Sequence, residues 1–148
     1  MLVIELRSLS AIYAKLRVDL PREGNRLHIV TLNAIIMAEK IKVKAPNVVI
    51  CKKLSIDSLI SLISQVDLVI GPDTGPTHMA WALCISSITL FGATPGYRNA
   101  SVSKKNRVIE SKSEVNPFKI NKNDLSIQDI DVKDILKVSK ELLNQSSV

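Results

Sequence analysis

Short apolar runs alternate with amphipathic stretches along this chain, and turn residues punctuate them. Leu27 to Val30 follows the turn Pro21-Arg22-Glu23-Gly24-Asn25 and reads as a strand. Ala34 to Ile41 has helical spacing, and Val48 to Cys51, after Pro46-Asn47, reads as a second strand. Ser55 stands as an N-cap before Ile56, Leu59, Ile60 and Ile63, which share one helical face. Leu68 to Ile70 is a third strand, Gly75 to Leu83 a helix and Ile88 to Phe91 a fourth strand. Arg107 to Ile109 reads as a fifth. Asp131 opens a last helix with Val132, Ile135, Leu136, Leu142 and Leu143 inward.

Strands alternating with helices at short spacing predict an α/β fold with a doubly wound parallel sheet. In the strand order 3-2-1-4-5-6 the first strand is central. Leu2-Val3-Ile4 is the candidate for it, yet the segment also scans as a helix, with Leu2, Leu6, Leu9, Tyr13 and Leu16 on one face. An empty centre would leave ladder groups unpaired at about 1–3 kcal/mol each, against a domain stability of about 5–15 kcal/mol. Leu2 to Leu6 is therefore either a makeshift central strand or the start of a helix over a sheet incomplete at its first strand.

Ligands of such sheets sit beyond the carboxyl ends of the strands. There the apolar run Asp67 to Ile70 gives way to Gly71-Pro72, a polar elbow Asp73-Thr74-Gly75, and a helix beginning Pro76-Thr77-His78. A helix N-terminus carries unpaired N–H donors and partial positive charge, and so holds phosphate readily. Thr74 and Thr77 add hydroxyls, and His78 in the first turn leans back toward the elbow. A purely structural reading has Asp73 in an Asx-turn, Thr74 as N-cap and His78 on the helix surface. Pro76 suits the first helical turn on structural grounds alone. Met79 and Trp81 read as packing residues, and His28 as a structural residue of its strand.

The chain has 148 residues, enough for one domain with a sizeable core. Hydrophobic content of 46% with only 3% aromatic suits an aliphatic α/β interior. The net charge of +6 is spread along the chain without interleaved aromatics. That argues against a nucleic-acid partner and suits a mildly basic face toward anionic lipid head groups or a nucleotide diphosphate. Lys104, Lys105 and Arg107 read as a solvated cluster. Cys51 and Cys84 lie far apart in apolar segments and are expected to be buried free thiols, in keeping with a reducing compartment. The apolar run Met1 to Ile4 is short for a secretory signal, and Glu5 and Arg7 interrupt it. No run approaches the ~18 apolar residues of a membrane span. A cytoplasmic location is expected, with at most peripheral contact to the inner membrane.

The elbow segment resembles the Asp-Thr-Gly-x-x-His signature of the ADP-heptose:lipopolysaccharide heptosyltransferases, glycosyltransferase family 9. Ser87 to Gly96 is similar to the family's next strand and its Gly-, Thr- and Pro-containing loop. Val48 to Ile60 is similar to the strand, adenine-side loop and short helix before the motif. The resemblance spans Arg26 to Leu143. It implies the C-terminal lobe of a two-lobed GT-B enzyme, with residues 26–148 as the nucleotide-sugar-binding lobe and 1–25 as a poorly matched N-terminal segment. The implied donor is ADP-heptose and the implied acceptor Kdo-lipid A. By this resemblance Asp73 lies nearest the heptose, and Thr74, Gly75 and His78 lie nearest the diphosphate. Thr77 joins them as a hydroxyl donor. Lys53 and Leu54 match the loop passing the adenine edge, mostly through backbone. Thr94, Pro95 and Gly96 match the loop over the diphosphate or acceptor side, to which Arg98 adds a cation; a plain Pro-Gly turn explains Pro95-Gly96 equally well.

Four departures from the family pattern stand out. The family's catalytic base belongs to the N-terminal lobe, which no part of this chain resembles. The polar residues and lysine at the end of the lobe's first strand are absent. Thr31 to Met37 lacks the glutamate that holds the ribose. Ala93 replaces a residue usually proline or polar. No catalytic residue is assigned in this chain, and alone it is expected to be inert or nearly so. No cofactor or metal is implied, since protein donors meet the diphosphate and no Asp-x-Asp pair is present. Rival readings are a nucleotide-diphosphate-binding module acting with a separately encoded N-terminal lobe, an inactive remnant, and a GT-B sugar-nucleotide epimerase preferring UDP.

Overall fold

In the computed structural model Leu2–Glu5 is a strand, β1, paired on both sides. It runs parallel to β2 (Leu27–Thr31), with Leu2 opposite Leu27, and to β4 (Leu68–Pro72), with Leu2 opposite Leu68. β3 (Val48–Lys52), β5 (Ser86–Phe91) and β6 (Asn106–Glu110) complete a six-stranded parallel sheet in the order β3-β2-β1-β4-β5-β6. Of the two outcomes left open for the N-terminus, the central strand is the one found, and the sheet is complete at its centre. The structure describes residues 2–5, 27–31, 35–44, 46, 48–113 and 125–145. Tyr13, the face from Leu6 to Leu16, the turn Pro21 to Asn25, and Leu32 to Ala34 lie outside them.

The helices are α1 (Ile35–Lys44), α2 (Ile56–Ile63), α3 (Gly75–Ala82), α4 (Gly96–Asn99) and α5 (Val132–Gln145), with a 3-10 turn at Ser126–Asp129. None is long and apolar enough to cross a membrane among the described residues. Ser55 caps α2 as expected, its hydroxyl accepting from the Ser58 N–H at 3.2 Å. α4 and the 3-10 turn are short elements with no apolar period to announce them.

Successive strand residues point to opposite faces. Leu68, Ile70, Ile88 and Leu90 therefore pack on one face with Ala38 and Ile41 of α1 and Ile135, Leu136 and Leu142 of α5. Val69 packs on the other with Ile63 of α2 and Ala80 of α3. Helices thus cover both faces, as a doubly wound sheet requires. β5 begins two residues earlier than its apolar run suggests, because Ser86 and Ser87 are buried.

Cys84 corrects an expectation. It is exposed, not buried, and its φ of 56° lies in the left-handed region. It follows the last turn of α3, where the Ile85 N–H donates to the Ala80 carbonyl at 2.9 Å and the Cys84 N–H to Trp81 at 3.1 Å. That is a Schellman ending, and its left-handed position normally belongs to glycine. Ile85 packs on the same cluster as Ala80. Cys51 is half-buried, with its Sγ 3.8 Å from His28 Nδ1, and burial pushes its thiol pKa up. Nor is the Lys104–Arg107 cluster wholly solvated. Lys105 Nζ donates to the Cys84 carbonyl at 3.2 Å, a favourable cation at the C-terminal end of α3. Arg107 is half-buried, and its Nε has no partner among the described residues.

Two outcomes are expected in urea melts. Ile4→Pro removes a ladder N–H from the central strand and should destabilise by about 3 kcal/mol or more. Cys84→Gly relieves the left-handed backbone and should stabilise by about 0.5–1 kcal/mol.

Candidate functional site

All six strands are parallel, so the loops after β3, β4, β5 and β6 share one edge of the sheet. β1 and β4 are neighbours at the point where the strand order reverses. Ligands of doubly wound sheets bind at such a reversal, beyond the carboxyl ends of the strands. The Asp73–His78 elbow leaves β4 at that point.

The elbow is held from within by Thr77. Its side chain is fully buried. Thr77 Oγ1 accepts from the Thr74 N–H at 3.3 Å, and it lies 2.9 Å from the Pro72 carbonyl and 2.7 Å from the Thr74 carbonyl. Thr74 is the N-cap of α3, in extended conformation, and forms a capping box with Thr77. Its hydroxyl donates to the Pro72 carbonyl at 3.3 Å. Pro76 occupies the first turn, where a missing N–H costs nothing. Thr77, named from the sequence as a ligand donor, thus faces the inside of the elbow.

Asp73 and His78 face outward together. His78 Nε2 lies 2.6 Å from Asp73 Oδ1, with the side chains 50% and 19% exposed. An ionised carboxylate only accepts, so Nε2 carries the proton and Nδ1 is left toward solvent or a ligand. The imidazole also stacks on the Trp81 indole, with ring centroids 4.3 Å apart and planes 20° from parallel. Gly75, the first residue of α3, is exposed between them in sequence.

The other sequence-named residues are placed less closely. Thr94 is half-buried in the loop after β5, the strand beside β4. Gly92 packs tightly there, since a Cβ would stand 2.6 Å from the Ile127 backbone. Pro95-Gly96 is more than a turn: it opens α4, and the Gly96 N–H donates to Glu110 Oε1 at 2.6 Å. Arg98 lies within α4, its side chain outside the described residues. Lys53, exposed with φ 40°, and half-buried Leu54 follow β3. Three strand spacings, about 14 Å, separate β3 from β4. The first turn of α1 contains no acid.

Trp81, read from the sequence as a packing residue, stacks on His78, and Ser87, Asn106 and Glu110, which the sequence did not single out, complete the surroundings. His78 and Trp81 stand three apart, the spacing at which helical side chains meet. The other three are joined across strands, which no local pattern reveals.

A family model described as glycosyltransferase family 9 (heptosyltransferase) matches residues 23–126. The chain belongs to that family. It is 45% identical over 97 residues to lipopolysaccharide heptosyltransferase 1 of Campylobacter coli, covering 65% of this chain and 28% of that protein. A family 9 glycosyltransferase of Veillonella parvula superposes with a TM-score of 0.81 at 15% identity, covering 98% of this chain and 46% of that one. The E. coli heptosyltransferase WaaC with ADP gives 0.74 at 17% identity, covering 95% and 43%. E. coli ADP-heptose heptosyltransferase II gives 0.78 at 20%, covering 99% and 47%. At those identities the structures show the shared fold. The chain spans 28% of the curated relative and under half of each solved one.

Thr77→Val keeps the shape of the side chain and removes the hydroxyl. The variant should lose about 1–3 kcal/mol by thermal melt, because buried elbow groups lose their partner.

Proposed function

We propose that this chain is the donor-binding lobe of a lipopolysaccharide core heptosyltransferase, which transfers heptose from ADP-heptose to Kdo-lipid A. Residues 26–148 make up most of the lobe, and β1 supplies its central strand. The family match and the 45% identity to a named heptosyltransferase support the reaction class. WaaC with ADP, similar in fold, supports the nucleotide. The acceptor and the catalytic base belong, on this reading, to a facing lobe. Transfer to Kdo-lipid A suits a cytoplasmic location against the inner membrane.

Gly75 carries the reading. A glycine is ordinarily explained by a left-handed backbone or by a neighbour too close for a Cβ. Gly92 and Gly96 have such neighbours, and Gly75 has neither excuse: it starts a right-handed helix, and a Cβ there would meet nothing within 4 Å among the described residues. The space above it suits a ligand that approaches the backbone at the N-terminus of α3, as a diphosphate does. Transfer of the sugar builds negative charge on that leaving diphosphate. Fixed N–H donors and the His78 ring at the helix end stabilise the charge as it forms. Asp73 beside them accepts from sugar hydroxyls. Lys53 and Leu54 offer backbone to the adenine edge, and Thr94 closes the diphosphate side. The missing acid in the first turn of α1 costs a ribose contact, roughly one to two decades of affinity.

An amide-resolved NMR titration of the chain with ADP and then UDP tests this reading. Thr74 to His78 should shift with ADP and shift less with UDP. Gly75→Ala should leave the melting temperature unchanged or raise it, since alanine is the better helix former by up to about 1 kcal/mol. Its ADP affinity should fall at least tenfold. A folded spectrum unmoved by either nucleotide overturns the site and leaves the elbow as a turn and a cap. Stronger shifts with UDP favour an epimerase-like donor.

A further inference from the structure

Trp81 is the chain's single tryptophan, and nothing in the motif around it requires an indole at that position. Its ring is fixed at two places. One face stacks on the His78 imidazole. Its Nε1–H donates to Ser87 Oγ at 3.0 Å, and Ser87 is fully buried. Ser87 Oγ donates in turn to Asn106 Oδ1 at 3.2 Å. The Asn106 N–H donates to Ser103 Oγ at 3.0 Å, and the Ser103 N–H to the Asn106 carbonyl at 3.0 Å. A chain of hydrogen bonds thus ties the indole to β5 and β6, beside the strand that delivers the elbow. His78 alone is half exposed and would otherwise be free to rotate about its side-chain bonds. The Asp73 carboxylate holds its Nε2, and the stack on Trp81 sets the plane of the ring.

We propose that Trp81 is the positioning residue for His78: it holds the plane of the imidazole at the first turn of α3 before any ligand arrives. The inference rests on the reading that a nucleotide diphosphate binds at the elbow. Ordering one flexible side chain in advance is worth roughly three- to tenfold in affinity.

The test measures ADP affinity for the wild-type chain, Trp81→Phe, Trp81→Leu, His78→Ala and the double variant Trp81→Leu/His78→Ala. Far-UV circular dichroism and a melt accompany each. Trp81→Phe keeps an aromatic face and should stay within about twofold of wild type, whereas Trp81→Leu should bind roughly three- to tenfold more weakly. The double variant should bind no more weakly than His78→Ala alone, because the loss runs through the imidazole. A second readout needs no ligand. The His78 ring protons, distinguishable because the chain has two histidines, should lie upfield in the wild type and move downfield in Trp81→Leu. Additive losses in the double variant, full affinity in a folded Trp81→Leu, or unmoved His78 ring protons would overturn the inference while leaving the ADP site standing. Absence of ADP binding by the folded wild type would overturn both. Should Trp81→Leu fail to fold, Ser87→Ala takes its place: it frees the indole end of the chain, and a loss of affinity that His78→Ala abolishes supports the inference. An unchanged affinity there counts against it.

Discussion

The parallel pairing of β1 between β2 and β4 is the constraint on which the remaining architecture depends. A parallel sheet cannot leave its centre empty, because the ladder groups on either side would have no water to turn to. With β1 in place the order reverses between β1 and β4. In doubly wound sheets such a reversal is where ligands bind, at the carboxyl edge. The elbow after β4 is a candidate site because it stands at that reversal. The same four residues at the edge of the sheet would be a cap and a turn and little more.

Within the elbow, structural and outward-facing duties fall to different residues. Thr77 and Thr74 hold the loop by bonds to each other and to Pro72. Pro76 presets the first turn, and Ala80 anchors α3 in the core. Gly75 and His78 are left at the surface, with Asp73 half-buried beside them. Thr77 thus contributes by shaping the loop. The same division recurs one strand over, where the α4 N-terminus is closed by Glu110 of the chain itself.

Much of this was legible in the sequence, and the reasons for the rest are specific. Apolar runs found β2 to β5 and the amphipathic spacing found α2 and α5, since burial of one face leaves a period. The Gly-Pro-Asp-Thr-Gly elbow was legible because each residue has a local task. Leu2 to Glu5 was ambiguous because four apolar and acidic residues fit either period, and only pairing with distant strands decides between them. Cys84 looked buried because its neighbours are apolar, whereas the Schellman ending places it outside the helix and in water. Glu110, Ser87 and Asn106 had no local signature at all, since their partners come from other strands. Gly92, Gly96 and Gly75 looked alike in sequence. The contacts around each separate the two that packing requires from the one that it does not.

On the reading that a diphosphate binds at the elbow, the pairing of Asp73 with His78 answers an electrostatic difficulty. Two unit charges of like sign 5 Å apart repel by about 3 kcal/mol at an effective dielectric constant near 20. A bare carboxylate at the mouth of a diphosphate site would therefore cancel what the helix end contributes, typically about 0.3–1 kcal/mol and up to about 2 where partly buried. The His78 ring 2.6 Å from that carboxylate donates its Nε2–H to it and so draws on its charge. The acid can then serve neutral hydroxyls beside an anion without driving the anion away. On this account Asp73 and His78 work as one unit, and the backbone of α3 sets the distance between them. An acid without the histidine should harm diphosphate binding more than the loss of both.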